Sequence, residues 1–137
     1  MTLGLDVNAA LPELRAHAES MMQDACIVER ATGETTLDSV TLEEVPVYAP
    51  VYSGKCRIQR PDTQTRETVV GGVEFAQRGV YGQLPLSAVG IRKGDRLTVT
   101  AVGDTTDPDM LGLVASVEAN LTKTHPTKRT LAMTEVE

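Results

Sequence analysis

Ile91-Arg92-Lys93-Gly94-Asp95-Arg96-Leu97-Thr98-Val99-Thr100-Ala101-Val102, then an acidic loop Asp104-Thr105-Thr106-Asp107-Pro108-Asp109, then Leu111-Gly112-Leu113-Val114-Ala115-Ser116-Val117-Glu118-Ala119: this stretch decides the fold. The turn Lys93-Gly94-Asp95 launches one alternating segment, the acidic loop reverses direction, and a second alternating segment returns. Leu97, Val99 and Ala101 share a face, with Arg96, Thr98 and Thr100 opposite. On the return, Leu111, Leu113, Ala115, Val117 and Ala119 share a face. Period-two alternation of this kind marks a sheet with one dry and one wet side.

The same signal recurs on either side. Ala25 to Arg30 is short and β-rich and ends at the turn Ala31-Thr32-Gly33-Glu34. Lys55 to Arg60 alternates, with Cys56 and Ile58 inward. Thr68 to Val70 reads as a strand ending at Gly71-Gly72, and Val73 to Arg78 and Val80 to Leu86 flank Gly79. A basic segment, 123–129, precedes a last strand around Thr130 to Val136. Residues 35–50, with Val45-Pro46-Val47 and Ala49-Pro50, read as an edge strand or an extended loop. One helix is expected over residues 9–24, with Pro12 in its first turn and Leu11, Leu14, Ala18, Met21 and Met22 on a narrow apolar stripe. Seven or eight short strands with regular turns predict a mainly β fold, a small β-barrel or sandwich with one N-terminal helix and long protruding loops. The expected organisation is an N-terminal arm and helix over residues 1–24 and a barrel domain over 25–137.

Composition narrows the rest. A chain of 137 residues reads as one domain. It has no Trp, one Phe and three Tyr, so its core must be built from Val, Leu, Ile, Ala and Met, and modest stability is expected unless neighbours add burial. A net charge of −6 argues against tight grasping of phosphate. Residues 1–10 have no basic n-region or apolar h-region, and no apolar run approaches the ~20 residues needed to span a bilayer; a soluble protein made in a cytoplasm, with no membrane partner, is expected. Cys26 and Cys56 lie in apolar segments and read as two buried free thiols, although a disulfide stays open if two strands bring them together.

Chemistry is mostly missing. His17 and His125 have no partner at metal-ligand spacing. Asp104, Asp107 and Asp109, with Asp95 near in sequence, read as a solvated turn rather than a calcium loop. Gly71-Gly72 and Gly79 are not followed by Gly-Lys-Ser/Thr, and Ser53 and Ser87 lack a nucleophile elbow. Lys55, Arg57, Arg60 and Arg66, and Lys123, Lys128 and Arg129, form basic strips, but few aromatics accompany them to stack bases. No catalytic set, cofactor or metal is expected, and the chain is not expected to be an enzyme.

The order of elements resembles a known family. Cys26-Ile27-Val28-x-Arg30-x-Thr32-Gly33 is followed by Gly54-Lys55-Cys56-Arg57-Ile58-Gln59, a long excursion, Leu84-Pro85-Leu86, Gly94-Asp95-Arg96-Leu97 and Asp107-Pro108-x-x-Leu111-Gly112. This is similar to the head-closure proteins of long-tailed bacteriophages, also called head–tail connectors or stoppers, of the actinobacteriophage type. The resemblance spans about residues 11–136. It implies a virion neck protein that forms a homo-oligomeric ring, usually a hexamer, below the portal and adaptor rings. A tail terminator or tail tube would dock beneath it, and packaged DNA would pass through without sequence-specific binding. Residues 61–79 are then the candidate channel or plug loop, with Gln64, Arg66, Glu67, Gly71, Gly72, Glu74 and Arg78. Leu14, Met21, Met22, Val45, Val47, Lys128 and Arg129 are candidate inter-subunit contacts. The alternatives are a tail terminator or adaptor ring and, of another class, a small β-barrel nucleic-acid-binding module.

Overall fold

The dry faces read from the sequence close on one another. The computed structural model describes residues 3–60, 69–70, 73–74 and 79–136. The chain begins with a helix, α1 (Leu3–Ser20), followed by β1 (Asp24–Leu37), β2 (Glu44–Gln59), β3 (Val69–Val70), β4 (Val73–Glu74), β5 (Gly79–Leu84), β6 (Arg96–Ala101), a 3-10 turn at Pro108–Met110, β7 (Val114–Leu121) and β8 (Arg129–Glu135). Six of these strands form a closed barrel in the order β1-β2-β5-β8-β7-β6, all neighbours antiparallel, and β3 and β4 make a separate two-stranded hairpin.

A six-stranded barrel has a narrow interior, and the sequence supplies side chains to suit it. Val28, Leu84, Leu97, Val99, Val117 and Leu131 are fully buried within it, joined by Cys26, Cys56, Val80 and Ala115. As expected from composition, no aromatic ring is fully buried among the described residues; Tyr52 only packs against the cluster from its margin. Gly82 shows how tight the interior is: a Cβ there would stand 2.8 Å from Met133 Cε, so the methionine fills the space a side chain would need.

The opening stretch folds nearly as read. Leu97, Val99, Leu113, Ala115 and Val117 are buried, but the second strand starts at Val114, and Leu111 is exposed on the turn after Pro108–Met110. Asp107 caps that turn by accepting from the Asp109 N–H. Gly94, at φ +93, makes the tight reversal, and its N–H donates to the Val117 carbonyl at 2.8 Å.

The helix begins earlier than residue 9 and ends before residue 24. Pro12 therefore lies in its interior rather than its first turn. That position costs one backbone hydrogen bond, on the exposed side of the helix. Met22 continues the apolar stripe from the turn after the helix and is buried, which is why the periodicity overran the end.

The ambiguous segment 35–50 resolves into the most distinctive element. β1 and β2 pair from Asp24↔Cys56 to Leu37↔Glu44, with irregularities at Val28/Glu29 and Ala31/Thr35. Yet β1 meets β6 only from Ala25 to Glu29, and β2 meets β5 only from Arg57 to Gln59. Residues 31–50 are thus a two-stranded arm with no strand on either outer edge among the described residues. Alternating burial stops where the arm leaves the barrel: Cys26 and Val28 are buried, and every residue from Ala31 to Leu37 is exposed. Pro46 and Pro50 fit here because a strand with an open edge tolerates a residue without an N–H.

Candidate functional site

The arm is held at its root. Arg30, the last residue of β1 before the arm, grips Asp95 with two parallel bonds, Nε to Oδ1 at 2.9 Å and Nη2 to Oδ2 at 2.8 Å, and also donates to the Gly90 carbonyl at 2.7 Å. Asp95 is 2 % exposed and accepts in addition from the Arg92 N–H. Burial pushes its carboxyl up, but the Arg30 guanidinium and the Arg92 N–H outweigh that and hold it below the usual carboxylate range. On the other strand, the Arg96 guanidinium lies over the Tyr48 ring at 4.8 Å. Thr32 Oγ1 donates to the Val47 carbonyl, tying the two strands together. The arm is therefore presented in a fixed direction.

Its tip is apolar and acidic. The Asp38 N–H donates to the Glu43 carbonyl, the Leu42 N–H to the Asp38 carbonyl, and the Val40 N–H to Asp38 Oδ1, which closes a compact loop. Those backbone bonds to its carboxylate hold the Asp38 carboxyl low. Leu42 adopts φ +60, a left-handed conformation that costs a branched residue about 1–2 kcal/mol. Leu37, Val40, Leu42 and Val45 are all exposed, Val40 at 88 %. Residues 31–50 carry four acidic residues, Glu34, Asp38, Glu43 and Glu44, and no Lys or Arg, so −4 of the chain's −6 sits on the arm.

A groove on the body carries cations as well as the acids Asp24 and Asp107. It runs between the end of α1 and the barrel wall in two connected parts of about 460 and 270 Å³ that share Met21 and Arg57. Leu14 and Ile58 add apolar lining, and Lys128 borders the smaller part. Arg57 and Lys128 are half-buried and have no side-chain hydrogen-bond or ion-pair partner among the described residues. Arg60, on the rim, pairs with Glu135 at 2.8 Å. Asp24 also faces the groove, but its carboxylate is occupied by the Gly103 N–H and the Thr106 hydroxyl.

Two thiols lie in the barrel interior. Cys26 and Cys56 are free and buried on adjacent strands. Their mutual hydrogen bond, then burial, pushes the Cys26 thiol well up, so neither chemistry nor exposure favours a thiolate. Burial pushes the neighbouring Tyr52 phenol up to about 12, with Cys26, Cys56 and Glu19 adding; its hydroxyl donates to the Lys55 carbonyl.

The candidate contact residues from the sequence divide among these features. Val45 and Val47 lie on the arm, Val45 exposed; Leu14, Met21 and Lys128 line the groove. Met22 is buried, and Arg129 donates to the Ala88 and Leu86 carbonyls within its own chain. Of the channel-loop candidates, Gln64, Arg66, Glu67, Gly71, Gly72 and Arg78 lie outside the described residues, and Glu74 belongs to β4. Sequence reading missed the Arg30–Asp95 clamp, although both residues stood in the quoted motifs, and it missed the apolar tip, whose Val40 and Leu42 follow no period. His17 and His125 are exposed, and among the described residues no three of His, Cys, Asp or Glu converge as metal ligands. Nor is any described helix long and apolar enough to cross a membrane.

Among solved structures, the chain is similar to protein SF1141 from Shigella flexneri 2a. The two share 16 % identity and a TM-score of 0.54 over 84 % of this chain and 93 % of that one, a likeness of fold alone. No curated protein matches the chain. Residues 14–134, which take in the end of the helix, the arm and nearly all of the barrel, match the family of unknown function DUF6093, and the chain belongs to that family.

Proposed function

We propose that the chain is a structural protein of a long-tailed phage neck, a connector or stopper ring that closes the DNA-filled head below the portal and adaptor and receives the tail. The observation that carries this reading is the placement of exposed apolar surface. A closed barrel has hidden its own edges, yet the chain extends a clamped arm whose tip is dominated by solvent-exposed aliphatic side chains. Such surface is stable in solution only at a cost and is used when protein covers it. The motif order shared with head-closure proteins supplies the particular assembly. A ring of identical subunits, six by that resemblance, needs two different complementary patches on each copy, and arm and groove are two such patches. The acidic balance suits a wall past which DNA must slide without being held. It also disfavours the nucleic-acid-binding module, since the arm carries four acids and no Lys or Arg.

The test is particle composition. Phage heads assembled without this chain should fill with DNA and then lose it, and purified protein added to freshly filled heads should restore retention. Heads that keep their DNA and join tails normally in its absence would overturn the reading.

A further inference from the structure

The geometry points to the partner of the arm: its tip seats in the groove of the next copy of this chain, with Val40 and Leu42 against Met21 and Leu14, and Glu43 and Glu44 toward Arg57 and Lys128. This deepens the ring reading and rests on it for the number of copies, but the contact stands on three observations of its own.

The first is reach. The eight residues from Arg30 to Leu37, at about 3.3 Å per residue, set the tip at most about 26 Å beyond the last rung shared with the barrel. The root clamps fix its direction outward, and Leu37, Val40 and Leu42 are at least 61 % exposed, so the tip is not covered by its own body. The second is charge. The arm has four acids and no base, and the groove holds two half-buried cations, Arg57 and Lys128, that have no side-chain partner among the described residues. Desolvating Arg57 and Lys128 has already been partly met within the monomer, and an incoming carboxylate completes the pair. The third is shape: a narrow apolar tip meets the part of the groove, about 270 Å³, that Leu14, Met21, Arg57 and Lys128 line together, and methionine is a side chain that adapts to what enters. Because arm and groove are different surfaces of one chain, the contact is heterologous and propagates from copy to copy into a ring or a filament.

Sedimentation equilibrium on the intact purified chain, from micromolar to millimolar concentration, tests this. The wild type should self-associate, and raised salt should weaken the association. Val40→Ser with Leu42→Ser should weaken it by about tenfold or more while thermal melting of the monomer holds. Arg57→Glu with Lys128→Glu should weaken it similarly. Mixing that variant with Glu43→Lys/Glu44→Lys should restore association between the two, a rescue that damage to folding would not produce. A chain that stays monomeric at millimolar concentration overturns the contact, as does self-association indifferent to the tip and groove variants. If the tip variants leave self-association intact but prevent tails from joining filled heads, the arm docks on another protein and the inference fails while the neck function stands. If arm and groove pair as described but heads retain DNA without the chain, the neck function fails alone.

Discussion

The barrel and the arm are built from the same two strands, and they obey different rules. Up to Val28, β1 alternates buried and half-buried residues under a closed sheet. From Ala31 it keeps the same pairing with β2 but buries nothing on either face. Pairing with β2 resumes beyond irregularities at Val28/Glu29 and Ala31/Thr35, so both halves keep the same strand partner. What changes is apolar burial, the term that stabilises a fold. A hairpin alone in water is marginal, and this one persists because its root is clamped by Arg30–Asp95 and Tyr48–Arg96. The barrel stabilises itself; the arm is carried by the barrel and completed by whatever covers it.

The comparison breaks most readily at the sulfur atoms. Cys26 and Cys56 are 1 % and 0 % exposed. In the folded chain they should react with a thiol reagent only through unfolding, on the order of a thousandfold or more below a free thiol. A cysteine installed by Val40→Cys should react at the rate of a free thiol in the same sample. Rapid reaction of the native pair would mean that the barrel opens locally at β1 and β2.

Core truncation gives the next largest contrast. Leu97→Ala, at a fully buried site in β6, should cost about 3 kcal/mol in denaturant unfolding. Val40→Ala on the arm should stay within about 0.5 kcal/mol. Equal losses at the two sites would show that the arm is packed in solution.

The clamp between the regions is sharpened by pH. The Asp95 carboxyl is held low in the folded chain, so its contribution to stability is present above the unfolded carboxylate value, about 4. It is lost as pH falls through the lower folded value. Asp95→Asn should therefore lower stability at neutral pH by less than a core truncation and flatten the acid limb of the stability profile. Hydrogen exchange in residues 31–50 should rise in that variant before exchange in β6 or β7 does. An unchanged acid limb would mean that Asp95 is not the group linking the two regions.

How much of this was legible in the sequence follows the same division. Where one face is buried, the period of two is written in the residues, and Leu97, Val99, Leu113, Ala115 and Val117 could be assigned to the interior from spacing alone. The arm has no buried face, so nothing selects a period there, and residues 35–50 read equally as strand or loop. Pairing at a distance is not written in spacing either: Arg30 and Asp95 are 65 positions apart, and one looked like a strand end, the other like part of a local turn. The groove needs the helix end, β2 and the segment before β8 in one place, and only their packing supplies that. Met22 misled in the opposite sense, since a buried residue after the helix looked like one more turn of it.

The smallest expected effect has the most informative sign. Leu42 holds a left-handed backbone conformation that glycine adopts freely, and its side chain is 73 % exposed, so it contributes little to the isolated chain. Leu42→Gly relieves the strain but adds freedom to the unfolded state, and the balance should leave the monomer unchanged or stabilised by up to about 1 kcal/mol. The same change removes an apolar side chain from the arm tip and should weaken any assembly through it. A variant that folds at least as well yet associates worse would place the role of Leu42 outside its own subunit. A loss of monomer stability would instead make the tip a folded part of the body, and the distinction between the two regions would fail at its far end.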